Sequence, residues 1–213
     1  GDHSYKNGHF KGSQNALRWA NPWQAAPGMV VGFGADYSEE KFAAIGDYAY
    51  DMGRTSTGLF AGLTQRLERL TAQLNVRRDE VKVAHADAWS ANDNQTAKNT
   101  GLIGLGYQLT PQWRWTASAS TGFRAPTASD VASNAALKPE THQTREVGAV
   151  FADRDVLARL VYFSTSTHNA IAYDRDFNVL NIGESRNKGF EATLRAQWLG
   201  NRIRLSAVSQ EPF

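Results

Sequence analysis

The chain contains no cysteine, two methionines and six prolines among its 213 residues. Without cysteine, neither a disulfide framework nor a thiolate zinc site can form. No run of about 18 apolar residues occurs, so no transmembrane helix is predicted. The formal net charge is only +2. A strongly basic face of the kind that binds nucleic acid is therefore not expected, and no nucleic-acid partner is predicted.

Aromatic residues are abundant, and their spacing is the most informative feature of the sequence. In an extended strand, side chains alternate between two faces with a period of two residues. Over residues 113–124 this alternation separates an apolar, aromatic face from a polar, charged face. The apolar face carries Trp113, Trp115, Ala117, Ala119 and Phe123, and the polar face carries Arg114, Thr116, Ser118, Ser120 and Arg124.

Two architectures explain such a strand. In a soluble β-sandwich the apolar face points into the core, whereas in an outer-membrane barrel it points to lipid and the polar face lines the lumen. The mean hydropathy of −0.48 and the 21% of charged residues fit both, because a polar lumen and polar loops lower the average. A soluble β-sandwich binding domain therefore stays open as the alternative.

The pattern along the whole chain favours the barrel. About ten strands are predicted, most of about 10–12 residues, which is close to the length that crosses a bilayer at a tilt. Short connections (24–28, 68–69, 110–112, 153–155 and 199–200) alternate with long ones (43–55, 83–99, 125–142 and 167–188). An up-and-down membrane barrel has this alternation, with short periplasmic turns and long outer loops.

The aromatic residues also fit two membrane interfaces. The tryptophans beside short turns are predicted to form one girdle on the lipid-facing side, and aromatic residues nearer the long loops a second. The first set is Trp23, Trp113, Trp115 and Trp198, and the second is Tyr37, Phe123 and Tyr162. We therefore predict an all-β fold, an antiparallel up-and-down transmembrane β-barrel, with about ten strands of a larger barrel in this chain.

Several short motifs together resemble the barrel of TonB-dependent outer-membrane receptors. They are Gly122-Phe123-Arg124-Ala125-Pro126, Leu137-Lys138-Pro139-Glu140-Thr141, Glu146-Val147-Gly148, Val161-Tyr162-Phe163, Asn169-Ala170-Ile171, Asn181-Ile182-Gly183 and Lys188-Gly189-Phe190-Glu191-Ala192. The resemblance implies the outer membrane of a Gram-negative bacterium and a barrel filled by an N-terminal plug. It also implies coupling to TonB through that plug region, which this sequence does not contain. Residues 1–213 are accordingly interpreted as one partial barrel domain.

The upstream half is similar to the cobalamin branch of this family. Trp19-Ala20-Asn21, Tyr50-Asp51 and Thr57-Gly58-Leu59-Phe60-Ala61-Gly62-Leu63 carry this second likeness. It implies uptake of cobalamin or another corrinoid, with a ferric siderophore as the alternative. Haem is less favoured, because the haem receptors of the family are expected to have a histidine where residues 128–136 have none.

Candidate ligand-binding residues lie in the predicted outer loops: Tyr48, Tyr50, Asp51, Arg54 and Trp89. Tyrosine and tryptophan offer apolar area with a hydrogen-bonding tip. Asp47 and Asp51 could also hold a structural calcium ion that orders the loop. An ordinary solvated loop explains the same residues.

No catalytic arrangement is evident in the sequence. It has no Ser-His-Asp order with an elbow motif, no cysteine nucleophile and no marked carboxylate pair. We therefore predict a transport receptor and not an enzyme, with no cofactor apart from the possible calcium. An outer-membrane hydrolase is the remaining alternative of another class.

Overall fold

The computed structural model describes residues 9–46 and 48–212, and it consists almost entirely of one antiparallel sheet. Ten strands follow each other in chain order, and each pairs with the next. The strands are β1 (His9–Ala26), β2 (Met29–Ile45), β3 (Tyr50–Leu67), β4 (Leu70–Asp87), β5 (Ala91–Gln108), β6 (Trp113–Arg124), β7 (Glu140–Ala152), β8 (Val156–Tyr173), β9 (Val179–Trp198) and β10 (Asn201–Pro212). A single short helix, α1 (Ala128–Ser133), interrupts the series between β6 and β7.

The predicted all-β, up-and-down architecture is confirmed. The sheet is not closed in this chain, since β1 and β10 form its two edges and the strand order contains no pairing between them. Within the described residues, no helix is long and apolar enough to span a membrane.

The half of the sheet beside the shortest turns has an apolar outer face, as the alternation predicts. Leu63, Leu74 and Ile103 lie directly opposite each other on β3, β4 and β5, and the last two are about half exposed. The tryptophans of the first predicted girdle are on this face and close to the turns. Trp23, Trp113, Trp115 and Trp198 are 45–65% exposed, as expected for side chains that face lipid.

Three of the four predicted long loops are wrong, because the strands continue through most of their residues. The turns at that end cover only residues 46–49, 88–90 and 174–178, and only 125–139 is a long connection. The strict alternation of short and long connections is therefore also wrong. At the other end, the turns at 68–69, 153–155 and 199–200 are confirmed.

The error has a physical cause that is visible on β4. Its outer face is apolar up to Val76 and then carries Arg78, Glu80 and Lys82. A strand that leaves hydrocarbon for water keeps its backbone pairing, because the ladder hydrogen bonds remain favourable, but it no longer needs apolar side chains outside. The loss of apolar alternation marked the membrane boundary and not the end of the strand.

The second predicted girdle needs one correction. Tyr37 lies on the outer face and is 42% exposed, and Tyr162 contacts Phe190 in a tilted arrangement with ring centroids 5.1 Å apart. Phe123, however, packs against the buried cluster around α1. Pairing of β6 with β5 ends at Ser120, so the chain is free to turn there towards the helix on the inner face.

Candidate ligand site at the mouth of the sheet

The segment 125–139 folds back onto the inner face of the sheet, near the end where the strands project beyond the apolar band. Its helix packs on β4, where Val81, Val83, Ala125 and Val131 form the buried cluster, and Val131 is fully buried. Thr127 caps the helix in a capping box with Asp130. The inner face of this half is therefore covered by the protein itself.

Asparagine side chains hold the C-terminal half of this segment. On β5, Asn92 donates to the carbonyl of Ala132 (3.1 Å), and Asn94 donates to the carbonyls of Ala135 and Leu137 (both 2.9 Å). Asn134 of the segment donates in turn to the carbonyl of Val179 at the start of β9 (3.0 Å). These bonds satisfy backbone carbonyls and join the segment to β5 and β9 at the mouth.

The sequence motifs that lie far apart in the chain meet at this segment. Arg124 is 3.2 Å from the carboxylate of Glu140, which also accepts a hydrogen bond from the amide of Ile171 (3.2 Å). Asn181 accepts a bond from the amide of Lys138 (2.8 Å) and donates to the Lys138 carbonyl (2.9 Å). The side chains of these motifs therefore bind the inward-folded segment to the neighbouring strands.

An aromatic ladder crosses four strands on the inner face beside this segment. Phe10 stacks on Phe42 (5.7 Å between ring centroids), Phe42 contacts Tyr50 (5.9 Å), and Tyr50 contacts His85 (5.9 Å). His85 is 7% exposed, its Nε2 is 3.3 Å from Asp87, and its Nδ1 has no hydrogen-bond partner. The ladder is an apolar wall with one unsatisfied polar atom.

A cleft of about 620 Å³ lies between β1–β3 and the start of α1. Phe42 of the ladder lines it, together with the oppositely charged Glu40 and Arg54, which face each other across β2 and β3. Lys41 lines the cleft as well. One aromatic ring beside acidic and basic groups suits a large ligand that is partly apolar and carries polar substituents.

The structure separates the predicted site residues into three locations. Tyr50 is in the ladder, and Arg54 lines the cleft. Asp51, the neighbour of Tyr50, is exposed on the opposite, outer face. Tyr48 (82% exposed) and Trp89 (80%) are at the tips of two hairpins. Asp87 orders the tip at Trp89, because its carboxylate accepts hydrogen bonds from the backbone amides of Trp89 (2.8 Å) and Ser90 (2.7 Å). These bonds hold the pKa of the Asp87 carboxyl below its usual value.

The predicted calcium site has little support in the geometry of Asp51. Its cross-strand neighbours are Ala43 and Ala86, whose side chains offer no oxygen ligand. Among residues 9–46 and 48–212 there is no group of three or more histidine, aspartate or glutamate side chains that could hold a metal. Asp47 lies outside the described residues, so a site that includes it stays a prediction.

Sequence reasoning did not identify the ladder, because Tyr50 and His85 are in the stretches 43–55 and 83–99, which were interpreted as loops. A signal was present in the sequence. When the strands are extended to the turns seen in the structure, Phe42, Tyr50 and His85 fall at the alternate positions that face inward. Only the register of four strands brings them together.

Deeper on the inner face, a charged network joins β2 and β4. The guanidinium of Arg77 donates two hydrogen bonds to Asp36 (2.7 and 2.9 Å) and is also bonded to the buried Asp79. Gly58 lies between these two aspartates, and a side chain there would collide with the Arg77 guanidinium. The glycine therefore leaves room for the guanidinium against the sheet.

A profile of the family described as "TonB dependent receptor-like, beta-barrel" matches residues 2–209. The chain belongs to this family. The apolar band of the outer face is accordingly the lipid-facing surface, and the protein is in the outer membrane of a Gram-negative bacterium, as predicted.

Individual proteins give the same assignment. The vitamin B12 transporter BtuB of Vibrio vulnificus strain YJ016 is 30% identical over 141 residues, which cover 64% of this chain and 22% of that protein. BtuB of strain CMCP6 is 28% identical over 175 residues, or 78% of this chain and 25% of its own length. The FrpB iron transporter of Neisseria meningitidis has the same fold, with a TM-score of 0.81 over 96% of this chain and 36% of its own, at 16% identity. The chain thus spans about a quarter of the curated relatives.

Proposed function

We propose that this chain is part of a receptor that takes up cobalamin or another corrinoid across the outer membrane, energised through TonB. The observation that carries the proposal is the sequence likeness to two vitamin B12 transporters. The likeness to an iron transporter is at 16% identity and supports the fold alone. No covalent chemistry is part of the proposal.

The mouth of the sheet supplies one wall of the proposed site. A corrinoid is larger than a cleft of about 620 Å³, so this wall would contact one side of the ligand while the rest of the barrel and the plug contact the others. In this role the ring of Tyr50 offers a flat apolar surface with a hydroxyl at its edge. Arg54 offers fixed donors for the amide oxygens of corrinoid side chains.

The inner polar residues are proposed to contact the plug. Arg77, Asp36 and Asp79 form a network on the lumen side, where charged groups are stable only if they are paired or meet water. A plug that offers hydrogen bonds to this surface would be held firmly but reversibly, as a transporter requires.

Binding of cyanocobalamin to the full-length protein tests the proposal. We expect saturable binding in isothermal titration calorimetry, weakened about tenfold or more by Y50A or R54A, since a well-packed aromatic anchor or a bound arginine contributes 2 kcal/mol or more in many sites. D51A is the matched control, because Asp51 is adjacent in sequence but on the outer face. Its affinity should stay within about twofold of the unmodified protein.

Two results would reject the assignment. Absence of any heat of binding with cyanocobalamin would reject the corrinoid ligand. Tight binding of a ferric siderophore in its place would favour the alternative substrate class while leaving the family unchanged. An effect of D51A equal to that of Y50A would move the site to the outer side of the hairpin tips.

A further inference from the structure

A row of basic side chains lies on the lipid face of β7–β9, just above the apolar band. Arg145 and Lys188 are directly opposite Ser164 on either side of it, and Arg186 is opposite Ser166 one row further out. All three basic residues are exposed. From the spacings of strands and residues, Arg145 and Lys188 are about 10 Å apart, and Lys188 and Arg186 are about 7 Å apart along β9.

The row beneath them is apolar. Val147, Tyr162 and Phe190 are neighbours across the same three strands, and the rings of Tyr162 and Phe190 are in tilted contact. On β7 and β9 the change from apolar to basic therefore takes place over one step of two residues, while β8 changes from Tyr162 to Ser164. Charged groups so close to hydrocarbon are placed at the depth of lipid headgroups.

The charges around this row leave it positive. Lys188 is 3.4 Å from Glu211, and His168 is paired with Glu184 at 2.8 Å. In the described part of the chain, neither Arg145 nor Arg186 forms an ion pair with an acidic side chain. Elsewhere on the outer face, Lys41 and Lys82 are each beside a glutamate of their own strand, at 2.8 and 3.6 Å. The two arginines differ from those lysines in this respect.

We propose that Arg145, Arg186 and Lys188 bind the phosphate groups of a phosphorylated glycolipid in the outer leaflet. Arginine matches phosphate with two parallel hydrogen bonds. The small hydroxyl side chains of Ser164 and Ser166 between the basic residues leave room for the headgroup and add donors. The Tyr162–Phe190 pair lies where the first carbons of the acyl chains would pass. The outer leaflet is chosen because this row lies on the side of the inward-folded segment and the cleft, where the strands extend beyond the band.

The test uses the full-length protein in detergent micelles doped with bisphosphorylated lipid A, with lipid adducts counted by native mass spectrometry. The double variant R145Q/R186Q should weaken binding about tenfold or more, because each basic residue near a charged membrane surface contributes about a factor of five. K41Q is the matched control, since it removes an outer-face charge that already has a glutamate partner, and it should change binding less than twofold. Circular dichroism confirms that each variant retains its strand content.

The other probes separate the sources of phosphate. We expect dephosphorylated lipid A with the same acyl chains to bind much more weakly, and inorganic phosphate alone not to compete. Retention of wild-type affinity by R145Q/R186Q, or equal loss in K41Q, would overturn the proposal. If dephosphorylated lipid A bound as tightly as bisphosphorylated lipid A, the site would recognise only the acyl chains. Phosphatidylglycerol binding as tightly as lipid A would reject a glycolipid-specific site, and competition by inorganic phosphate would indicate a free-phosphate site.

Discussion

The two halves of strand β4 have opposite polarity. From Leu70 to Val76 the outer face is apolar and the inner face is polar, as in a membrane barrel. From Arg78 onwards the outer face is charged, while the inner face buries Val81 and Val83 under α1. One continuous strand is therefore built like a membrane protein at one end and like a soluble protein at the other. The solvent outside decides which face is apolar.

The comparison also locates function. The membrane half ends, on its inner face, at the charged network of Arg77, Asp36 and Asp79, whose groups pair with each other and are proposed to contact the plug. The projecting half carries its own cover, the segment 125–139, and the cleft beside it. We therefore expect the first to respond to changes of lipid and plug, and the second to respond as a small soluble core does.

A charge on the lipid face should have the largest effect. L74R puts arginine into the apolar band and is expected to destabilise the protein by about 2–4 kcal/mol, the range for arginine near the middle of a bilayer. A84R puts the same residue on the same face of β4 above the band, and it should cost less than about 1 kcal/mol. Urea unfolding in lipid vesicles, followed by tryptophan fluorescence, compares the two. Equal losses of stability in L74R and A84R would contradict a boundary between hydrocarbon and water along β4.

Removal of Arg77 should have the next largest effect. R77A leaves Asp36 and the buried Asp79 without their shared cation, and we expect a loss of about 1.5–3 kcal/mol, reduced from the fully buried case because the guanidinium is one-third exposed. K41A, which breaks an exposed ion pair of the projecting half, should cost about 0–0.5 kcal/mol. The same unfolding assay measures both. A loss of stability in K41A as large as that in R77A would contradict the expected difference between the inner charged network and the exposed ion pair.

Loss of the helix cap should have a smaller and more local effect. T127A removes the hydroxyl that accepts the amide of Asp130, and such a change costs about 1 kcal/mol. Hydrogen exchange should speed up in α1 and its neighbouring turn, while the strands of the membrane half keep their protection. S129A, which leaves the capping box intact, is the control. Faster exchange throughout β4 would mean that the two halves unfold as one unit.

The smallest expected effect is that of acid on the hairpin between β8 and β9. Asn178, through its side chain and amide, and the amide of Asp176 donate to Asp174, and they hold the pKa of its carboxyl below the usual value. The stabilisation is therefore present above the unfolded pKa and is lost as pH falls through the lower, folded value. Carboxyl NMR of the labelled protein should show this low pKa, and N178A should raise it. An unchanged pKa in N178A would exclude this cause.

The difference between the membrane half and the projecting half also explains which features could be predicted from the sequence. Ten strands, their order and the lipid-facing tryptophans followed from alternation, because hydrocarbon forces apolar residues to every second position. The projecting parts of the strands did not, since Glu80 and Lys82 in water leave no periodic signal. Tyr50 and Arg54 were named as candidates, but only the register separates them from Asp51. The fastening of residues 125–139 by Asn92 and Asn181 depends on contacts between distant residues.

Site-directed spin labelling along β9 tests the central claim most directly, and these 213 residues contain no cysteine that would take up a second label. Labels at 190, 192 and 194 in lipid vesicles should be accessible to oxygen and shielded from a water-soluble nickel complex, while labels at 191, 193 and 195 should be much less accessible to oxygen. The account predicts this alternation up to Phe190 and its loss beyond Lys188. Higher oxygen accessibility at 191, 193 and 195, or no alternation at all, would contradict a lipid-facing apolar side.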